Sequence, residues 1–140
     1  TEGRVRTFVA GYGTCGTITG VGTFLKEQDP SVRIVAVEPE KGHHLAGTKN
    51  LEEAKTPEIL DPSIIDRVIR IADEPAYSMT KRLFREEGLI VGPTTGAIVA
   101  AVNVIAGDEA GLLVGVSPDS GFKYASFFAD ILGEEGNPDF

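Results

Sequence analysis

Disulfides, membrane spans and a nucleic-acid surface are three things this chain lacks the residues for. It has one cysteine, Cys15, so no internal disulfide framework is available, and a lone thiol suits a reducing cytoplasm. Its apolar runs are strand-length or broken by glycine, too short for a membrane-spanning helix. Lysine and arginine number 13 against 21 acidic residues, a net charge of −8. With no basic stripe to offset that charge, nucleic acid is not an expected partner. No secretory signal is visible. An initiating methionine is missing too: the chain starts at Thr1 and runs quickly into a strand, which reads as a piece of something longer.

What is present is ordinary for a globular domain: 140 residues, 41% hydrophobic and 24% charged, enough for one core. Short β-rich runs at 5–10, 33–38, 67–72, 89–91 and 112–116 alternate with helical stretches at 17–28, 74–87, 94–106 and 124–132. In the first helix Ile18, Val21, Phe24 and Leu25 fall near one face; in the second the stripe is Ala76, Met79, Leu83 and Phe84, with Gly88 as C-cap. The 94–106 helix is apolar almost all round and belongs inside. Residues 39–63 are polar and weakly periodic, a long loop of the kind that often carries function. The tail at 133–140 is acidic and expected to be loose. Such alternation predicts an α/β fold, three layers with a mainly parallel sheet flanked by helices. Ligands in these sheets collect beyond the carboxyl ends of strands. Three turns follow strand ends, Gly11–Gly20, Gly92–Gly96 and Ser117–Gly121, and should converge there.

The first turn, Gly11-Tyr12-Gly13-Thr14-Cys15-Gly16-Thr17-Ile18-Thr19-Gly20, joins a strand to a helix and so aims free N–H groups and a helix dipole at one point, an anion site. Thr14 and Thr17 add hydroxyls. Gly11, Gly13 and Gly16 also spell G-x-G-x-x-G, with Glu38 placed 22 residues beyond Gly16 at the end of the second strand, the dinucleotide fingerprint with its ribose-binding acid. The loop by itself leaves NAD and a phosphomonoester open, with a plain structural turn as the third reading. A P-loop is excluded because no Gly-Lys-Ser/Thr follows. His43-His44 has no further ligands at metal spacing, so no metal site is expected.

Four segments in order then resemble one family. Gly13–Gly20 resembles the G-T-G-G-T-x-x-G phosphate loop of the pyridoxal 5′-phosphate (PLP) dependent cysteine synthase and cystathionine β-synthase family, fold type II. Val37-Glu38-Pro39 is similar to its V-E-P strand end. Glu87–Ala97 is similar to its E-G-[IL]-x-x-G-x-S-S-G-A segment. Pro118-Asp119-Ser120-Gly121, followed by Lys123-Tyr124, is similar to its P-[DS]-S-G-x-[RK]-Y turn. Asn50–Ala54 and Asp61-Pro62-Ser63 look most like the second-type cysteine synthases of bacteria and archaea. The match spans nearly the whole chain and implies the larger-domain half of such an enzyme, its C-terminal portion.

By that resemblance Gly13, Thr14, Cys15, Gly16 and Thr17 bind the cofactor phosphate, and Ser120 meets the pyridine nitrogen, with Asp119 beside it as the alternative. A neutral hydroxyl there makes a weaker electron sink than a carboxylate, which suits loss of a β-substituent and addition of a nucleophile. Thr94-Thr95 is either a helix cap or a direct cofactor contact. Cys15 stands where the family has Gly or another small residue. The implied reaction makes cysteine from an activated serine, such as O-acetylserine, and a sulfur donor, in a cytoplasmic homodimer when full-length. The family's S-x-K-x-R segment with the Schiff-base lysine, and its T-S-G-N-T-G substrate loop, do not occur here. No catalytic residue is therefore assigned, and the chain by itself is expected to be inactive.

Overall fold

The computed structural model describes residues 1–108 and 110–134. Four strands form one sheet: β1 (Val5–Gly11), β2 (Arg33–Pro39), β3 (Arg67–Ile71) and β4 (Leu112–Gly115). Every pairing is parallel, in the order β3-β2-β1-β4, with Val9 opposite both Val35 and Gly115. Because successive side chains alternate across a sheet, each strand feeds two cores. Val9, Val35 and Val37 enter one; Phe8, Ala10, Ile34 and Ala36 enter the other. β2 is buried at every position but Arg33, as a central parallel strand should be.

The helices cover the two faces. α1 (Gly16–Gln28) packs on the Phe8–Ile34 side, where Ile18 is fully buried. α2 (Asp73–Glu87) and α3 (Pro93–Ile105) belong to the opposite face, where α3 buries Ala97, Ile98, Ala101 and Ile105 against Val9 and Val35. α2 meets α3 at Gly96, where a Cβ would land on Thr80 Oγ1 and the Ala76 carbonyl. α4 (Ala125–Glu134) closes the described chain. It runs through Gly133 and Glu134, the first two residues of the stretch expected to be loose; the rest of that stretch, 135–140, lies outside the described residues.

Two expectations are corrected. Residues 89–91 form no sheet strand. Gly88 turns left-handed (φ 68°) after α2 and Gly92 caps α3, so the three residues between are too few to reach the sheet. They pair instead through a single antiparallel bridge, Val91 to Ser120, leaving Leu89 and Ile90 exposed. The apolar face of α1 is also rotated from the one expected. Ile18 and Gly22 are its buried positions, while Val21 and Phe24 are 38% and 57% exposed. Gly22 sits at the closest approach, where a Cβ would come within 2.9 Å of Ile64 and 3.3 Å of Ile34. A glycine can mark the buried face of a helix as surely as a leucine does, but a count of apolar side chains does not register it.

Strand order reverses between β1 and β4: from β1 the chain moves outward through β2 and β3, then returns to β1's other side. That reversal opens a crevice beyond the carboxyl ends of β1 and β4, the usual place for a ligand in such sheets.

Candidate functional site

A cavity of about 170 Å³ occupies this crevice. Its wall takes Gly11 to Cys15 and Thr17 from the turn after β1, Thr94 from the start of α3, and Val116 and Pro118 from beyond β4. The three turns thus converge as expected. Complete small-molecule sites run to roughly 300–1,000 Å³, so this is part of a site. No wall residue carries a charged side chain.

The candidate anion-binding element is the start of α1. Cys15, its N-cap, is left-handed (φ 63°, ψ 2°) and makes no side-chain cap bond. The first helical bond is Thr19 N–H to the Cys15 carbonyl at 3.1 Å. Among the described residues, the N–H groups of Gly16, Thr17 and Ile18 have no backbone acceptor, the open donors of a helix start. Thr14 and Thr17 are exposed at the mouth. Thr19, the third hydroxyl of the motif, is not on the wall; its Oγ1 is buried without a partner among the described residues. These features suit a phosphate: free donors at a positive dipole end, hydroxyls beside them, and glycines that leave the backbone accessible.

α3 begins at the same crevice but is already capped. Asp119 Oδ2 accepts the Thr94 N–H at 2.9 Å, and Oδ1 accepts the Thr95 N–H at 3.0 Å and the Thr95 hydroxyl at 2.6 Å. One helix start carries a carboxylate of the protein's own; the other is open. Asp119 is thereby committed to the fold. Ser120 lies at the bridge to Val91, exposed, its Oγ accepting the Phe122 N–H at 3.4 Å, and is not part of the cavity wall. Thr94 is on the wall, 6% exposed, its hydroxyl donating to the Ala46 carbonyl at 3.1 Å.

The stretch 40–50, part of the long loop after β2, straps the site. Lys49 N–H donates to the Tyr12 carbonyl at 2.8 Å, and Gly47 (φ 84°) lays its carbonyl across the loop, where a Cβ on Gly13 would come within 2.7 Å of it. Asn50, buried, ties the strap to the Pro39 carbonyl at 2.9 Å. Glu38 belongs to this scaffold. It is 4% exposed and accepts the Leu51 N–H at 2.8 Å and Arg70 Nε at 2.9 Å. The dinucleotide reading needed Glu38 free to meet a ribose; burial and these partners remove it from that role. His44 is likewise occupied, its backbone N–H 2.7 Å from Asp73 and its ring nitrogen 3.3 Å away.

Cys15 is buried, and that burial pushes its thiol up from the ordinary value, offset in part by the Gly13 carbonyl and Lys49. A raised pKa means less thiolate, the opposite of an activated cysteine. Alkylation by iodoacetamide at neutral pH will be slower for the folded chain than for the unfolded one, followed by mass spectrometry; equal rates would contradict the burial. Next to it, burial and the charges of Cys15 and Glu38 push the Tyr12 phenol up to about 12.

Fold and cavity together define an α/β unit with an open helix start at a topological switch point, an arrangement suited to an anion. The family described as "Pyridoxal-phosphate dependent enzyme" matches residues 1–116. The chain belongs to that family. It is 38% identical over 127 residues to "Cysteine synthase B" of Pseudomonas aeruginosa, covering 90% of this chain and 42% of that one. It is 37% identical over 145 aligned positions to "O-ureido-L-serine synthase" of Streptomyces lavendulae, covering 97% and 45%. A crystal structure of an O-ureido-L-serine synthase superposes with a TM-score of 0.85 at 34% identity, over 97% of this chain and 46% of that one. An O-acetylserine dependent cystathionine β-synthase from Helicobacter pylori gives 0.78 at 32%, over 89% and 43%. The chain thus spans less than half the length of these relatives.

Proposed function

We propose that this chain is the cofactor-binding half of a β-replacement enzyme that makes cysteine from an activated serine, such as O-acetylserine, and a sulfur donor. The observation that carries the reading is the open start of α1 inside an uncharged cavity at the switch point. When bound, PLP supplies the electron sink that lets a serine derivative lose its β-substituent. Around it this chain's residues hold and orient. The N–H groups of Gly16 and Thr17, with the Thr14 and Thr17 hydroxyls, receive the phosphate. Gly13 keeps the strap close enough to wall the loop.

For the pyridine nitrogen we keep Ser120, exposed beside the bridge to Val91; Thr94, on the cavity wall, has its hydroxyl proton on the Ala46 carbonyl. Asp119, spent on α3, leaves a neutral hydroxyl for that role, in keeping with elimination and addition at the β-carbon. Relatives named for two different products match this half at 38% and 37% identity, so the half serves the shared cofactor and the acceptor is chosen elsewhere.

Pyridoxine 5′-phosphate, which has no aldehyde to react with surface lysines, is the probe. Calorimetry will show saturable binding that inorganic phosphate displaces. Ser120→Ala will weaken it, and NADH will not bind. Absence of saturable binding would overturn the assignment. For the complete enzyme, joining this chain to its missing half and supplying O-acetylserine with sulfide should give cysteine.

A further inference from the structure

The strap over the loop after β1 is fastened by charges that stand outside the cavity. It leaves β2 after Pro39, and its return is tied to the end of that strand. Asn50 Nδ2 donates to the Pro39 carbonyl at 2.9 Å, and the Leu51 N–H donates to Glu38 Oε1 at 2.8 Å. Glu38 stands opposite Arg70 of β3 in the sheet register, and its second oxygen accepts Arg70 Nε at 2.9 Å. Another nitrogen of the same guanidinium reaches Glu52 on the returning limb, whose second oxygen pairs with Lys41 on the departing limb. Glu38, Arg70, Glu52 and Lys41 thus alternate in sign from a buried carboxylate out to solvent, and they close residues 41–52 into a loop. Between these fastenings lie all three contacts of the strap with the site: the Ala46 carbonyl on Thr94, the Gly47 carbonyl over Gly13, and the Lys49 N–H on the Tyr12 carbonyl.

We propose that Glu38 and Arg70 are positioning residues for the phosphate loop: together they latch the strap against Gly13 and Tyr12, and so set the affinity of the open α1 start from outside the cavity. Neither residue is on the cavity wall. An exposed pair such as Arg70 with Glu52 contributes little when isolated. Glu38 is different, because a buried carboxylate is costly unless it is both paired and hydrogen-bonded. Arg70 supplies the pairing and the Leu51 N–H the bond. Without Arg70 the buried charge is left uncompensated and must shift toward water, taking Leu51 and the strap with it. The Gly47 carbonyl then withdraws from Gly13, and the loop loses the backbone that walls it. One guanidinium holds both Glu38 and Glu52, a geometry that its rigid fork of donors allows. The effect on affinity rests on the phosphate reading of the cavity; the fastening of the strap does not.

Calorimetry with pyridoxine 5′-phosphate and amide hydrogen exchange on the ligand-free chain test it, both well below the melting point. Arg70→Leu should lose roughly tenfold in affinity. Its Lys49 and Leu51 amides should exchange roughly tenfold faster, while the amides of β2 keep their protection. Adding Glu38→Gln to Arg70→Leu should recover most of both losses, because the amide oxygen still accepts the Leu51 N–H and no buried charge is left unpaired. Glu52→Gln, at the exposed end of the network, should give a change of the same kind of about threefold, and it decides the matter if Arg70→Leu does not fold. Unchanged affinity and exchange in Arg70→Leu, or a lower melting temperature alone, overturns the proposal. So does a double variant as weak as Arg70→Leu. If the unsubstituted chain binds no probe, the cofactor reading fails and the exchange rates alone judge the latch.

Discussion

Gly13→Ala will cost about a hundredfold in affinity for pyridoxine 5′-phosphate, roughly 2.7 kcal/mol, while leaving the fold in place. The added methyl group comes within 2.7 Å of the Gly47 carbonyl, a separation that real Cβ atoms do not keep. Something must move, and both partners are backbone. The strap is pinned on either side, by Thr94 to Ala46 and by Lys49 to Tyr12, so the strain falls on the phosphate loop. Displacing free N–H groups by even half an ångström spoils several bonds at once, because their strength depends steeply on geometry. Gly20→Ala is the control from the same glycine-threonine motif. Nothing lies within 4 Å of its Cβ position, and alanine is the better helix former by about 1 kcal/mol, so it should bind normally and melt slightly higher. If Gly13→Ala binds as well as the wild type, the strap is not part of the site.

Gly96→Val will do the reverse and strike stability first. Even the first carbon of its side chain lands on the Ala76 carbonyl and Thr80 Oγ1, with the Thr80 nitrogen 3.0 Å away. Two of these three atoms are α2 backbone, which cannot swing aside, so the helices must part. Overpacking of this kind costs about 3 kcal/mol or more, a fall of roughly 10 °C in melting temperature for a domain of this size. Thermal denaturation followed by circular dichroism measures it. Gly96→Ala should show a smaller loss in the same direction, and an unchanged melting temperature in both would mean that α2 and α3 do not pack as described. Phosphate binding, measured well below the melting point, should survive better than in Gly13→Ala, since α1 and its loop lie on the other face of the sheet.

Much of the architecture could be read from the residues because parallel strands buried on both faces announce themselves as unbroken apolar runs. β2 is the clearest case: Ile34 to Val37 are all buried. The convergence of three turns at one edge followed from chain order. What could not be read depends on partners distant in sequence. The phase of α1 is decided by Gly22 against Ile34 and Ile64, and the segment 89–91 has strand composition but no room to reach the sheet. Asp119, the alternative partner of the pyridine ring, has both oxygens on Thr94 and Thr95, a cap reaching back along the chain that no local pattern discloses. Residues 40–50 are polar and only weakly periodic. Their role comes from one glycine carbonyl lying over another glycine, a contact with no side chain to advertise it.

The left-handed N-cap at Cys15 has a bearing on which substitutions such a site can take. Because the donors at the start of α1 belong to the main chain, recognition does not depend on which side chain the neighbouring position carries. A cysteine stands at Cys15 in a conformation that favours glycine, at some conformational expense, and the helix start remains open. The side chain at the cap can thus be exchanged without closing the main-chain donors. At Gly13 and Gly96 the requirement is instead for an atom not to be there.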